Sequence, residues 1–434
     1  MAYRMFFFLG FFLTCFLSQG IASSVDDAKI IILSTENHPF FEYLPEISKH
    51  RLVLILPEGK NKESDEVNYE IVRPIGSYYA SGQTELEIRQ ISKSFKVSRI
   101  IGFGEFDILT AARLRNKLDI PGQNYESALA FRDKVRMKTL LHSAGIPVPD
   151  FLEVRNASDL MDFLETKGYP AVFKHRKGAG SLGTVILQDD EDLETLLKEK
   201  DIFNHYHQGN YEVETFIPGE MFHVDGVFYN GKVICSWPAI YVTQNIECTK
   251  GKYSSSHILS PDNELTGVLN KFSREVLNAL PTPEATVFHL EVFVTPAKEL
   301  YVCEIASRLG GGVNDNWIRS FGIDLRRELV RLQAGLSPSD AVMSFTGIPS
   351  ILSGEIMISK KGGTVIRVPE ICDLPFSEIY KCNIKIGERY TQAAELADAA
   401  AFFPLIIGDD ESDVKKHIKE TVEWFYSNTE WALE

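Results

Sequence analysis

From residue 28 onward the chain alternates short apolar runs with stretches in which apolar residues recur every three or four positions. KIIILS (29–34), RLVLILP (51–57) and SRIIGFG (98–104) are apolar on both faces, the pattern of strands buried in a parallel sheet. TELEIRQISKSF (84–95) lies between them with helical spacing, so residues 26–125 are expected to form a small α/β domain, closing after the Pro121-Gly122 turn. TENHPFFE follows the first strand, where a nicotinamide-binding fold would carry glycines, so no dinucleotide site is expected there. In SALAFRDKVRMKTLLHSAGIPVPDF, Val135, Met137, Leu140 and Leu141 mark one helix face that Gly145 ends before Pro147. A strand (169–175), a glycine-rich loop (176–184) and a second strand (185–188) come next. ASDLMDFLETKG and DEDLETLLKEK read as amphipathic helices whose acidic starts suit the positive end of the helix dipole.

From Tyr211 the pattern turns to strands: NYEVETFIP, EMFHVDGVFYNGKVICSWPA, ATVFHLEVFVT and ELYVCEI. Asn230-Gly231 marks a hairpin, and Pro296 to Glu299 link a second strand pair. FGIDLRRELVRLQAG (321–335) predicts a closing helix, and the tail mixes strands with one helix in DDESDVKKHIKETVEWFY. The expected organisation is therefore a leader (1–25), an N-terminal α/β domain (26–125), a loop-bearing small subdomain (126–205), a β-rich large subdomain (206–335) and a C-terminal mixed subdomain (336–434). The leader has Arg4, a 13-residue apolar run from Met5 to Leu17 and small residues at Gly20, Ala22, Ser23 and Ser24, the form of a signal peptide or membrane anchor. Its run is short against the roughly 20 residues of a membrane span.

The net charge of −15 argues against a nucleic-acid partner, so an anionic ligand would need a locally basic pocket. Six scattered cysteines form neither a disulfide framework nor a zinc motif.

Two constellations carry chemistry. The loop after Lys174 combines cations with Gly178, Gly180 and Gly183, whose backbone N–H groups can approach an anion closely, and Ser181 and Thr184 add hydroxyl donors. It does not close with the Gly-Lys-Ser/Thr of a Walker loop. About 110 residues on, Glu291 (HLEVFV) and Glu304 (YVCEIASR) interrupt apolar strands. Two such carboxylates aimed at one point suit a hard cation that bridges phosphates. Arg308 can reach the same point, and Gly310-Gly311-Gly312 admits a close backbone approach to a ligand. Between them, Glu214 to Ile217 and Glu220 offer an apolar slot with backbone and carboxylate partners for a purine and a ribose.

These motifs in this order resemble the ATP-grasp superfamily over about residues 126–335: RDKVRMK with GIPVP, YPAVFKHRKGAGSLGT, VETFIPGE with HVDGVF, HLE, and EIASRLGGG with GIDL. The resemblance implies an ATP-grasp fold of the α/β (α+β) class behind a small α/β domain. It implies that Lys134 and Lys174 bind nucleotide phosphates, that Glu214 contacts adenine with Thr215, Phe216 and Ile217 as the backbone purine edge, and that Glu220 binds ribose. It further makes Glu291 and Glu304 ligands of Mg²⁺, which Mn²⁺ can replace, and Arg308 the arginine that holds the transferred phosphoryl. Where the family usually has Glu-x-Asn, this chain has Glu304-Ile305-Ala306, and Ala306 cannot bind a metal. Asn314 and Asn316 are then the side chains left to approach the metal or the substrate. The Glu-x-Ala-x-Arg form resembles the branch that joins amino acids into dipeptides. The implied activity is an ATP-dependent ligation of a small carboxylate to an amine through an acyl-phosphate, with a homodimer compatible and a membrane contact only through the leader. A different ATP-grasp reaction, such as carboxylation or peptide-tail modification, and a non-catalytic nucleotide binder are the alternatives. His257, in the segment expected to face the substrate (247–264), is either a substrate contact or a solvated loop histidine. ATP use points to the cytoplasm, and the leader points away from it.

Overall fold

The computed structural model describes residues 27–199, 202–203, 209–393 and 398–432, so the leader at 1–25 lies outside the described residues. Among the described residues no helix is long and apolar enough to cross a membrane.

β1 (Lys29–Leu33), β2 (Leu52–Pro57), β3 (Ile71–Ile75) and β4 (Val97–Gly102) form a parallel sheet in the order β3-β2-β1-β4. Ile31, Leu33, Val53 and Ile55 pack on one face with Ile88 and Ile91 of the helix Gln83–Ser94. Ile30, Ile32, Leu52 and Leu54 pack on the other, in the same core as Leu325 and Leu329 of the helix Leu325–Gln333. Burial on both faces is why these strands read as unbroken apolar runs. β3 was not expected. It carries Pro74, which is tolerated because β3 is an edge strand.

β5 (Phe151–Val154), β6 (Ala171–His175), β7 (Val185–Leu187) and β8 (Tyr211–Thr215) form an antiparallel sheet ordered β5-β8-β6-β7. The strand at 211–215, grouped with the large subdomain on sequence, thus belongs to the small sheet. Its Val213 buries beside Phe173 and Val154.

The third sheet has eight strands in the order β13-β12-β9-β10-β11-β14-β18-β16. They are β9 (Glu220–Tyr229), β10 (Lys232–Thr243), β11 (Tyr253–Ile258), β12 (Ala285–Val294), β13 (Leu300–Ala306), β14 (Leu352–Ser359), β16 (Ser377–Cys382) and β18 (Ala399–Gly408). Asn230 and Gly231 both have positive φ in the β9–β10 hairpin, as a two-residue turn that matches strand twist requires. β14, β16 and β18 come from the C-terminal stretch, which therefore shares this sheet. Short strands β15 (Gly363–Arg367), β17 (Arg389–Tyr390) and β19 (Glu430–Ala432) pair beside it. The helix expected over 321–335 is two. Val313–Phe321 ends at Gly322 (φ 70°), and Asp324 then caps Leu325–Gln333 by accepting from the Arg327 N–H.

Candidate active site

A cavity of about 550 Å³ opens between the small sheet and the eight-stranded sheet, with Thr35, Glu36, His38 and Glu105 of the N-terminal domain on its wall. Lys134, Lys174, Gly178, Gly180, Ser181, Glu214, Thr215, Phe216, Ile217, Glu291, Glu304, Arg308 and Gly311 all line it. The structure thus brings most of the motif residues to one hollow.

Glu291 and Glu304 are direct partners in the β12–β13 hairpin register. Like charges directly opposed on paired strands repel, so each needs compensation. Lys134 Nζ lies 2.8 Å from Glu304 Oε2 and also donates to the Gly178 carbonyl at 2.9 Å. Burial disfavours the ionised Glu304, but Lys134 outweighs it and holds the carboxyl at about 2. Glu291 Oε1 accepts from Tyr241 Oη at 2.8 Å and has His289 Nε2 at 3.5 Å. Two adjacent carboxylates with open oxygens, facing a hollow, form the hard donor set that Mg²⁺ takes. Ala306 is buried opposite His289 and adds no ligand.

Lys134 sits at this point because Asp133 caps its helix, accepting from the Val135 and Arg136 N–H groups. Asp133 also pairs with Arg176 at 2.8 Å, and Arg176 pairs with Glu153. The loop's Arg176 therefore ties the loop root down and does not line the cavity. Beyond it, Gly180, Ser181 and Gly183 have φ of 60°, 61° and 68°, and a Cβ on Gly183 would meet the His175 ring at 3.0 Å.

The Glu214 carboxylate accepts from Lys174 Nζ at 2.5 Å and from Lys138 Nζ, which also reaches Glu212 at 2.8 Å. Glu212 and Glu214 share one face of β8, so two lysines and two glutamates form a buried, neutral square. Burial would raise the Glu214 carboxyl and lower the Lys174 amine. Their mutual attraction outweighs it, so Glu214 lies below the usual carboxylate range and Lys174 well above the usual lysine range.

Arg308 is held from outside its own motif. Glu105, in the loop after β4, takes its Nε and pairs with Arg132 at 2.5 Å, while Arg132 donates to the Lys177 carbonyl at 2.7 Å. Burial would lower Arg308, and the Glu105 charge keeps it raised.

Four expected residues do not line the cavity, among them Asn316, which is buried and donates to Glu355. Glu220 is exposed at the start of β9 and does not line the cavity. Asn314 is 1% exposed and accepts from the Arg326 N–H, fixing the join between two helices. His257 is fully buried and off the cavity wall. Its Nδ1 bonds the Ile258 carbonyl at 2.8 Å, and burial lowers it to about 4. Ser254 and Ser255 of the same strand line the cavity instead.

Behind the acids runs a network that motif reading missed. Asp225 accepts from His223 Nδ1 at 2.6 Å and from His289 Nδ1 at 2.8 Å. His223 Nε2 lies 2.9 Å from Ser256 Oγ, which bonds Glu355. Burial would raise Asp225 and lower His289. Their attraction outweighs it, so Asp225 falls below the carboxylate range and His289 reaches about 10. The two histidines and the aspartate could also gather round a cation, but the atoms concerned already bond one another. Their signal was present in the sequence. His223-x-Asp225 and His289-x-Glu291 place polar groups on alternate positions of otherwise apolar strands, hence on one face.

Comparison with known proteins agrees with this geometry. Residues 139–310 match the ATP-grasp domain family. It is 28% identical over 310 residues to an L-arginine-specific L-amino acid ligase of Bacillus subtilis, covering 66% of this chain and 74% of that protein. Among solved structures, an L-amino acid ligase from Bacillus licheniformis superposes with a TM-score of 0.73 at 18% identity, covering 94% of this chain and 99% of that one. The biotin carboxylase domain of a Hydrogenobacter thermophilus 2-oxoglutarate carboxylase, in complex with MgADP and bicarbonate, gives a TM-score of 0.67 at 15% identity over 93% and 90%. At those identities the structural likeness speaks for the fold.

Proposed function

We propose that the chain is an ATP-dependent carboxylate–amine ligase that activates a small carboxylate, an amino acid by its relatives' chemistry, as an acyl-phosphate. The observation that carries the reading is the convergence of Lys134, Lys174, Glu291, Glu304 and Arg308 on one cavity between two sheets. Lys134, Lys174 and the loop N–H groups would take the phosphates, with Thr215 to Ile217 along the base. Glu291 and Glu304 would hold Mg²⁺, whose part is to neutralise phosphate charge during transfer. Arg308, pre-oriented by Glu105, would stabilise the charge that develops on the transferred phosphoryl and then on the acyl-phosphate. The loop at 178–184 would exclude water from that intermediate. Catalysis is then mainly positioning and preset electrostatics.

The test is ADP release from Mg-ATP with a panel of amino acids, singly and in pairs, with amide product identified by mass. Amide formation that Glu304→Ala abolishes is the expected result. Bicarbonate-dependent ADP release without any amine would favour a carboxylating reaction, and tight Mg-ATP binding with no turnover on the whole panel would favour a non-catalytic binder.

A further inference from the structure

The proposed ligation leaves one chemical need unmet. An amine at neutral pH is an ammonium and has no lone pair to attack with until it gives up a proton. The acids at the metal end cannot take it: Glu304 and Glu105 are neutralised by Lys134, Arg132 and Arg308, and Glu291 is assigned to the metal.

Glu355 of β14 differs from all of these. It lines the same cavity, beside Gly312, yet is only 6% exposed. Its two oxygens are met by neutral donors, Ser256 Oγ from β11 and Asn316 Nδ2 from the helix Val313–Phe321. Among the described residues no lysine or arginine lies within ion-pair distance of it. The titratable groups behind it are on β9: His223, one hydrogen bond beyond Ser256, and Asp225, one bond further again. β18 brings only the uncharged Phe402 to this spot. Burial outweighs His223 and the two donors and raises its carboxyl to about 7.

The contacts behind Glu355 continue the pattern. Ser256 Oγ stands between Glu355 and His223 Nε2, His223 bonds Asp225, and Asp225 bonds His289 beside Glu291. The hydroxyl hydrogen of Ser256 can turn to either side. A proton arriving on Glu355 thus has a buried route to spread along, and the carboxylate is fixed relative to the metal acids.

Resting on the ligase reading above, we propose that Glu355 is the catalytic base that receives the attacking substrate's ammonium group and takes its proton. The ammonium gives one proton to the Glu355 carboxylate. The freed lone pair forms the N–C bond, the bond from acyl carbon to phosphate oxygen breaks, and the second proton leaves with the phosphate as hydrogen phosphate. Glu355 returns its proton to solvent as product departs. Asn316 and Ser256 are positioning residues for this base.

Hydroxylamine separates this role from others, because it is largely unprotonated at neutral pH and traps an acyl-phosphate as a hydroxamate without needing a base. In E355Q, amide formation from amino acids should fall about 100-fold or more, the usual reach of a general base. Hydroxamate formation and Mg-ATP affinity should fall far less. Equal losses with both nucleophiles, or none, overturn the assignment. So does a raised KM for the acyl donor in the hydroxamate assay, which would make Glu355 an anchor for that donor. If E355Q does not bind Mg-ATP, the same comparison is made in E355D, whose shorter arm should slow the amino-acid reaction alone, and equal losses there overturn it. No product from the unaltered protein with either nucleophile would overturn the ligase reading itself and this assignment with it.

Discussion

A carboxylate such as Glu355, buried without a cation, costs stability. Its folded value of about 7 against an ordinary 4.5 means that the native state keeps a proton the unfolded chain has lost. Stability should therefore fall as pH rises from about 4.5 to 7, by about 3 kcal/mol at most. E355Q should accordingly be more stable than the unaltered protein at pH 8 and lose that advantage near pH 4, read from urea midpoints across pH. An unchanged difference across that range would contradict it. Arg308 makes a second case. Its fork is used on Glu105 and the Leu309 carbonyl, and a lysine cannot reproduce that geometry. Arg308→Lys should lower kcat about 100-fold or more with little effect on Mg-ATP affinity. Motif residues such as Lys134 and Glu304 were legible because their spacing is a local pattern. Glu105 and Glu355 were not, since each acts through a partner more than 90 positions away.

At the scale of elements, β8 shows what the sequence can and cannot carry. Its apolar-acidic alternation marked a strand, but its sheet was misassigned. Pairing is decided by Val213 packing among Phe173 and Val154, and no local pattern records that. The same strand presents Glu212 and Glu214 to Lys138 and Lys174. Removing one member of such a buried square strands a charge, so Lys138→Met should destabilise the protein by about 3–5 kcal/mol. Pairing it with Glu212→Met should restore most of the loss, and chemical denaturation of the single and double variants checks this. The loop held by this sheet roots itself through Arg176, while the neighbouring Lys177 side chain is half exposed. Mg-ATP should slow tryptic cleavage at Lys177, followed by mass spectrometry of the fragments. Cleavage unaffected by saturating nucleotide would count against the loop's closing over phosphates.

Across the whole molecule, the N-terminal parallel sheet was readable because burial on both faces writes itself into the sequence. The reach of the C-terminal stretch was not. β14, β18 and β16 extend the sheet that begins with the strands of Glu291 and Glu304, a union of strands far apart in the chain. Truncation after Gly335 would leave β11 as a bare edge and uncover Ile258, Val313 and Trp317 of the shared core. The truncated chain should therefore aggregate and not survive as a smaller nucleotide-binding unit, as size-exclusion chromatography would show.

That continuous platform sets the two ends of the cavity on different strands. In the proposed reading the metal-holding acids would stand on β12 and β13, and the base that serves the acceptor would stand on β14. A designer wishing to swap the acceptor could graft β14 and its loops from a relative as a cassette, leaving the energy-harvesting end untouched.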